Sequence, residues 1–512
     1  MKKIKTLFLP VCFFVNSTII SQTEKEANTF FNLDKFIKAL PYYERAVKEN
    51  PDDEKINYRL AVCYLNVNGD KTRAIPYLEK VTKMSSANPN AWYLLGRAYQ
   101  FAYRFDDAIK AFEKFKSISK GTNYNLNDVD NQIQYCYNAK ELMKFPRNVK
   151  FENLGPNVNS KYDDYFPFVP VDESFIVFST RRDDGSAEDI DGRFLPEVYI
   201  SYKYEGQYRP AKMLGKPLSN LDGAEEIIGM TADGRRMLFY IENDEYAGDI
   251  FMASFENKKI SRLKRLEKEI NSKYYEIAAC FSPDGDEIYF ASDRPGGYGG
   301  VDLWVVRKLP NGNWGIPQNL GPEINTPFDE DFPNISPDGK YLFFSSKGHT
   351  SMGGYDIFRA EWDEEKRAWV KPVNIGFPIN TPDDDMNFRI TGNGRYGYMS
   401  INRKENLGGL DIYRLVFEDV EPKYTVITGY LLKSDSVTKA EGGRLMVIDR
   451  NGDIFGDYLP NPNTGKYVIA VPAGKYTIEA ENADGKIVRF DIEVFDDVSY
   501  KPEIQRDIVF RP

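Results

Sequence analysis

Among 512 residues there is a single histidine, His349. With no second imidazole, a zinc site of the His-Glu-x-x-His type is excluded, and a Ser-His-Asp triad would rest on that one ring. It sits in a Gly-rich loop, Lys347-Gly348-His349, with no partner visible in the sequence. Acid–base work would fall to carboxylates, which are densest at Asp183-Asp184-Gly185, Asp329-Glu330-Asp331 and Asp383-Asp384-Asp385. Such runs could gather oxygen ligands for Ca²⁺, but none has EF-hand spacing, and solvated acidic turns are the simpler reading. Cys63, Cys136 and Cys280 are scattered along the chain, so they read as buried free thiols and not as a disulfide framework. The expectation is a chain without catalytic residues, metal ligands or cofactor.

Charge and targeting narrow the partners. The net charge is −10, which disfavours phosphate backbones and anionic lipid surfaces, so nucleic acid is not expected. Lys2, Lys3 and Lys5 precede an apolar run from Leu7 to Val15, and small or polar residues follow through Ser21 and Gln22. That order describes a secretory signal peptide over residues 1–21, cut near Ser21–Gln22. Cys12 lies inside the apolar run behind Pro10 and Val11, which is not the setting of a lipoprotein cysteine. No later stretch is long and apolar enough to span a bilayer. The expected location is the periplasm or the cell surface, peripheral to the outer membrane.

Residues 22–145 carry a helical period, with Ala and aromatic residues at spacings of three and four. Trp92, Leu95, Gly96 and Tyr99, followed by Ala108 and Phe112, match the W-x2-L-G-x2-Y…A-x3-F spacing of a tetratricopeptide (TPR) repeat. An earlier unit carries Ala27, Phe30, Ala39, Tyr43, Ala46 and Pro51. A middle unit carries Ala61, Tyr64, Ala74 and Leu78, with a one-residue insertion around Asn68–Gly69. Asp128 to Met143 reads as the capping helix a solenoid needs. The signature residues are packing residues. A partner would meet the other positions of each first helix, which line the concave groove: Tyr58 and Val62 in the middle unit, Tyr93, Arg97 and Gln100 in the third. Rigid aromatics beside an Arg and a Gln suit an extended peptide or a partner helix.

Over residues 147–420 the pattern turns to short strands between Gly, Pro and Asp turns. Ser282-Pro283-Asp284-Gly285 and Ser336-Pro337-Asp338-Gly339 each precede an apolar strand. Weaker copies stand at Thr231-Ala232-Asp233-Gly234 and Thr391-Gly392-Asn393-Gly394, and a degenerate one at Asp172. A second element, Gly-Gly-x-Asp-apolar-aromatic, begins at Gly299, Gly353 and Gly408, with a fourth copy around Ala247-Gly248-Asp249. Its Gly pair permits close backbone approach, and its Asp caps the turn. The turn residues fall at 172, 233, 284, 338 and 393, the period of a four-stranded propeller blade. Outer strands with Asn319-Leu320-Gly321-Pro322 and Asn374-Ile375-Gly376 follow blades three and four, but none follows the fifth. The missing piece stands ahead of the first blade, at Phe151-Glu152-Asn153-Leu154-Gly155-Pro156, so five blades closed by that strand are expected. These blocks resemble PD40 (TolB-type, WD40-like) propeller repeats, which implies an interaction platform.

Residues 424–512 read as a small antiparallel β-sandwich. Gly465-Lys466-Tyr467 and Val471-Pro472-Ala473-Gly474-Lys475-Tyr476 resemble the carboxypeptidase-regulatory-like pattern, which implies an appendage without chemistry. The full order of segments is similar to PorE-like periplasmic proteins of the Bacteroidetes type IX secretion and gliding apparatus. That resemblance implies a multidomain, non-enzymatic envelope scaffold whose partners are other envelope proteins. Family members usually carry a lipobox and an OmpA-type domain; this sequence stops at Pro512, about where such a domain would begin, so peptidoglycan binding is not carried over. The alternative is a periplasmic or surface protein that binds a glycan or small ligand in the propeller funnel.

Overall fold

The computed structural model describes residues 23–84, 88–119, 126–204, 207–218, 223–243, 247–391, 394–418, 424–472, 474–494 and 501–511. The expected signal peptide with its cleavage point and Cys12, together with Gly392, Asn393 and Ala473 of the motifs above, lie outside the described residues. Two compact units emerge, one running up to Lys140 together with Asp183–Leu195 and Asn402–Glu405, the other holding the rest. In sequence terms a helical TPR-type region is followed by a mostly β region.

Among the described residues, three helical hairpins and a final helix make up the repeat region. Residues 23–31 pair with Phe36–Glu49, Glu54–Asn66 with Ile75–Val81, and Asn90–Phe101 with Phe105–Ile118; Leu126–Leu142 follows. Asp53 caps its helix by accepting from the Ile56 N–H at 2.8 Å. The insertion at Asn68–Gly69 leads into a short 3₁₀ turn, Lys71–Ala74, with Gly69 at φ +130°. The close approach expected at Gly96 is present: a Cβ there would lie 2.5 Å from the Phe112 ring. Polar contacts repeat with the hairpins, Tyr64 donating to Glu44 at 2.6 Å and Tyr99 to Glu79 at 2.8 Å.

Among the described residues, five antiparallel sheets follow in chain order. Their innermost strands are Asp164–Phe168, Gly223–Met230, Ala279–Phe281, Glu330–Ile335 and Arg389–Ile390. The third, fourth and fifth sheets have four strands, whereas the first two have five, because the outer strand is split into two short pieces. The fifth sheet is completed from outside its own sequence. Val149–Asn153 pairs antiparallel with Leu410–Phe417, from Val149 opposite Phe417 to Asn153 opposite Tyr413. Apolar clusters join neighbouring sheets, and one of them unites Ile176 and Phe178 of the first sheet with Tyr398 and Ile412 of the fifth.

The turn motifs act as their chemistry requires. Asp284 accepts from the Asp286 N–H, and the Ser282 hydroxyl accepts from the Glu287 N–H, while Gly285 holds φ +73°. In the second motif Asp302 accepts from the N–H groups of Tyr298 and Gly299, at 2.7 and 2.9 Å. Gly299 itself admits no side chain: a Cβ would stand 1.7 Å from the Phe328 carbonyl oxygen, on the loop entering the next sheet. The fourth copy differs, because Asp249 is held by the Arg265 guanidinium at 2.8 and 2.9 Å.

A third repeated device joins the sheets. Asn325 accepts from the Leu303 N–H at 2.8 Å and donates to the Leu303 carbonyl at 3.0 Å. Asn271 does the same with Ile250, Asn380 with Ile357, and Asn159 with Ile412. All four amides are buried. Their neighbours are clamped as well: Thr326 bonds Glu330, which opens the innermost strand of the next sheet, and Thr381 bonds Asp385, four residues ahead of Arg389–Ile390.

The C-terminal residues form two four-stranded sheets around one apolar cluster that includes Ile427, Val447, Tyr467 and Ile478. The expected all-antiparallel arrangement needs correction. Glu503–Gln505 and Ile508–Val509 both lie parallel to Tyr424–Leu432, because the chain returns from the opposite sheet before pairing.

Two substitutions test these close approaches. Gly96→Ala should destabilise the helical region by about 1–3 kcal/mol, since the Phe112 ring must shift. Gly299→Ala should cost more, because a backbone carbonyl cannot move aside. Chemical denaturation followed by far-UV circular dichroism checks both; unchanged midpoints would show that the approaches are not tight.

Candidate functional site in the helical repeats

The five groove residues expected from the sequence do not form one open surface. Tyr58 and Val62, on Glu54–Asn66, are partly exposed, and the Tyr58 hydroxyl accepts from the Asn90 side chain at 3.0 Å. Tyr93, Arg97 and Gln100, on Asn90–Phe101, face the final helix instead. Tyr93 donates to Asp128 at 2.6 Å, and burial beside that carboxylate pushes its phenol well up. Arg97 donates to Gln100 at 2.9 Å and to the Gln132 side chain at 2.7 Å. Gln100 is fully buried and donates to the Gln132 carbonyl and the Cys136 sulfur.

The assignment of Gln100 as a partner-contacting residue is therefore corrected, and Tyr93 and Arg97 are committed to intramolecular bonds. The physical reason lies in the solenoid's end. A last repeat must cover its apolar face, and here the covering helix brings its own polar groups, which polar residues opposite must satisfy. Asp128 and Gln132 carried that signal in the sequence, as polar positions within the capping helix. The partly exposed surface that remains belongs to the middle repeat, at Tyr58 and Val62. Close by, Arg59 lies 4.8 Å above the Phe31 ring and bonds Asn28.

The groups that suggested other chemistry are also placed. His349 donates Nε2–H to the Ile324 carbonyl at 2.9 Å, and its ring packs on Phe344 and Phe358. Burial pulls its pKa down, so the imidazole stays neutral. The two acidic runs at 329–331 and 383–385 join sheets: Asp329 accepts from the Val301 N–H and Asp384 from the Tyr355 N–H, each the residue between Gly-Gly and Asp in the preceding motif. Asp183–Gly185 is an exposed turn in which Asp184 accepts from the Ser186 N–H. Cys63, Cys136 and Cys280 are free and buried, and burial pushes their thiols up to about 12, 11 and 12.

One concave surface was not foreseen. A cleft of about 1020 Å³ lies beside the first two sheets and the C-terminal pair. Lys258 stands 4.5 Å over Tyr202 and Arg209 4.9 Å over Tyr204 within it, and Lys466 bonds the partly exposed Asp172 at 2.7 Å. The sequence signal was the run of Tyr and Lys at 202–204, whose partners lie far along the chain. Among the described residues, no helix is long and apolar enough to cross a membrane.

Comparison with known proteins accords with this division. Residues 32–115 match the family model described as Anaphase-promoting complex, cyclosome, subunit 3, a TPR-type repeat family. A TPR repeat-containing protein of Methanocaldococcus jannaschii is 32% identical over 84 residues, which span 16% of this chain and 26% of that protein. The matched segment is thus about a quarter of that relative's length. The β region has propeller-like structural neighbours at low similarity. TolB from Acinetobacter baumannii aligns over 57% of this chain and 71% of its own, with TM-score 0.33 and 15% identity. An endo-arabinase from Bacteroides thetaiotaomicron aligns over 52% and 98%, with TM-score 0.34 and 12% identity. At these values the likeness says nothing about activity.

Proposed function

We propose that this chain is a non-enzymatic scaffold that binds other proteins of the bacterial envelope, in the manner of PorE-like components of the type IX secretion and gliding apparatus. In this reading residues 1–21 are a signal peptide and the mature protein works in the periplasm or at the cell surface. The TPR region over 22–145 contacts a partner through the middle repeat. Residues 147–420 form a five-bladed propeller closed by Val149–Asn153, and 424–512 a carboxypeptidase-regulatory-like sandwich. The pairing of that first strand and the Asn159–Ile412 bonds support the closure. The observation that carries the scaffold reading is the fate of the polar groups. His349, Asp329, Asp384, Glu330 and Asp385 are all spent on holding loops and sheets, while the middle repeat keeps Tyr58 and Val62 at its surface.

A second reading, a glycan or small-ligand binder, is favoured by the cleft, where the faces of Tyr202 and Tyr204 and several cations suit an acidic sugar.

Affinity capture of the full-length protein from native envelope tests the first reading. Secretion or gliding components should co-purify, and a Tyr58→Ala, Val62→Glu double variant should recover at least about fivefold less, the loss of roughly 1 kcal/mol of contact. Undiminished capture by the variant would overturn the assigned surface. Capture of no envelope protein, combined with tight binding to arrayed acidic glycans, would replace the scaffold with the ligand binder.

A further inference from the structure

Arg389 lies on the innermost strand of the fifth sheet and is only 6% exposed. Buried guanidinium groups ordinarily face a carboxylate, because an uncompensated charge inside a protein is costly. Elsewhere in these sheets the rule holds: Arg182 meets Asp164, Arg294 meets Glu276, and Arg414 meets Glu152. Arg389 meets no carboxylate among the described residues. Its Nη1 donates to the Pro333 carbonyl at 3.0 Å, its Cζ lies 4.2 Å from the centroid of the Phe168 ring, and its Nε is buried with no hydrogen-bond partner among the described residues.

The surroundings are a cavity, not packed core. A void of about 60 Å³ is lined at its wall by a residue from the innermost strand of every sheet: Phe168, Met230, Cys280, Asn334 and Arg389. Among the described residues no Asp or Glu lines it. Cys280 is the one further titratable group there, and burial pushes its thiol up to about 12, so it supplies no negative charge at neutral pH. Burial brings Arg389 down to about 10, which leaves it cationic. The result is a fixed cation with an unused N–H beside a space larger than one water requires.

We propose that this void is an anion site, in which Arg389 holds one small monovalent anion, a halide or a small carboxylate, where the five innermost strands converge. The anion supplies the missing counter-charge and occupies the free Nε–H. It is a structural ligand of the β region, independent of the partner-binding surface on the helical repeats. The cavity's size excludes a peptide or an oligosaccharide.

The test is thermal unfolding of the full-length protein at constant ionic strength, with gluconate replaced stepwise by bromide in one series and by acetate in another. Mass action predicts a rise of about 2–4 °C per tenfold increase in the bound anion once it exceeds its dissociation constant. Arg389→Met, which keeps the length and removes the charge, should give flat curves in both series. A rise in bromide alone assigns a halide site, and a rise in acetate equal to or above it assigns a carboxylate site. Should the variant fail to fold, crystals of the unaltered protein soaked in bromide decide the matter. An anomalous peak within hydrogen-bond distance of the Arg389 guanidinium supports the site. Water alone in that position, or melting that is the same in gluconate, bromide and acetate, overturns it.

Discussion

One side chain, repeated, carries the β region: a buried asparagine that forms both of its backbone bonds with a single residue in the neighbouring sheet. Asn271, Asn325, Asn380 and Asn159 each meet the N–H and the carbonyl of Ile250, Leu303, Ile357 and Ile412. The carbonyls of Ile250, Leu303, Ile357 and Ile412 also accept a backbone N–H, from Leu266, Leu320, Ile375 and Leu154. The asparagine supplies the acceptor for the N–H, whose loss would cost roughly 1–3 kcal/mol, adds a second bond to the carbonyl, and pins the loop from which the next innermost strand starts. Among the described residues, the second to fifth sheets are thereby each fixed to the loop that enters the next by a bond with direction, which apolar packing alone does not provide.

The rest of the loop chemistry is arranged around that asparagine. Asn319, Asn374 and Asn153 accept from it and donate to Asp302, Asp356 and Asp411. Those aspartates in turn cap the Gly-rich turns. The glycines are required because the next sheet's entering loop presses against them, as Tyr162 does on Gly408 and Phe328 on Gly299. Carboxylates that look free in the sequence are thus elements of a polar network that runs from sheet to sheet. Arg389 stands apart from the network, which is why its charge calls for a ligand from outside.

The sequence made the local devices legible and hid the distant ones. Asp284 with Gly285, and Asp302 with Gly299, act within a few residues, so spacing alone exposed them. The strand at Phe151–Asn153 was readable through its likeness to Asn319-Leu320-Gly321-Pro322. That same likeness continues to Asn159 and Asn325, whose partners Ile412 and Leu303 each follow a motif aspartate, but the repetition does not reveal that the amide reaches that backbone. In the helical repeats the packing residues were plain from their period. Gln100 was misplaced because a polar residue on a groove face looks exposed until the covering helix, with Gln132 and Cys136, is seen to meet it. The parallel pairing of Glu503–Gln505 was invisible for a related reason, since strand direction depends on the path between sheets.

The central claim is that the junction between the last and first sheets is built like the junctions inside the series. Native-state hydrogen exchange of three amides measures it directly: Leu303, Ile357 and Ile412, each donating to a junction asparagine. The account predicts that the Ile412 amide is protected to the same order as the other two, opening only with global unfolding of the β region. Exchange at Ile412 that is orders of magnitude faster, with Leu303 and Ile357 still protected, would show the first strand and Asn159 to be a frayed edge and would contradict it.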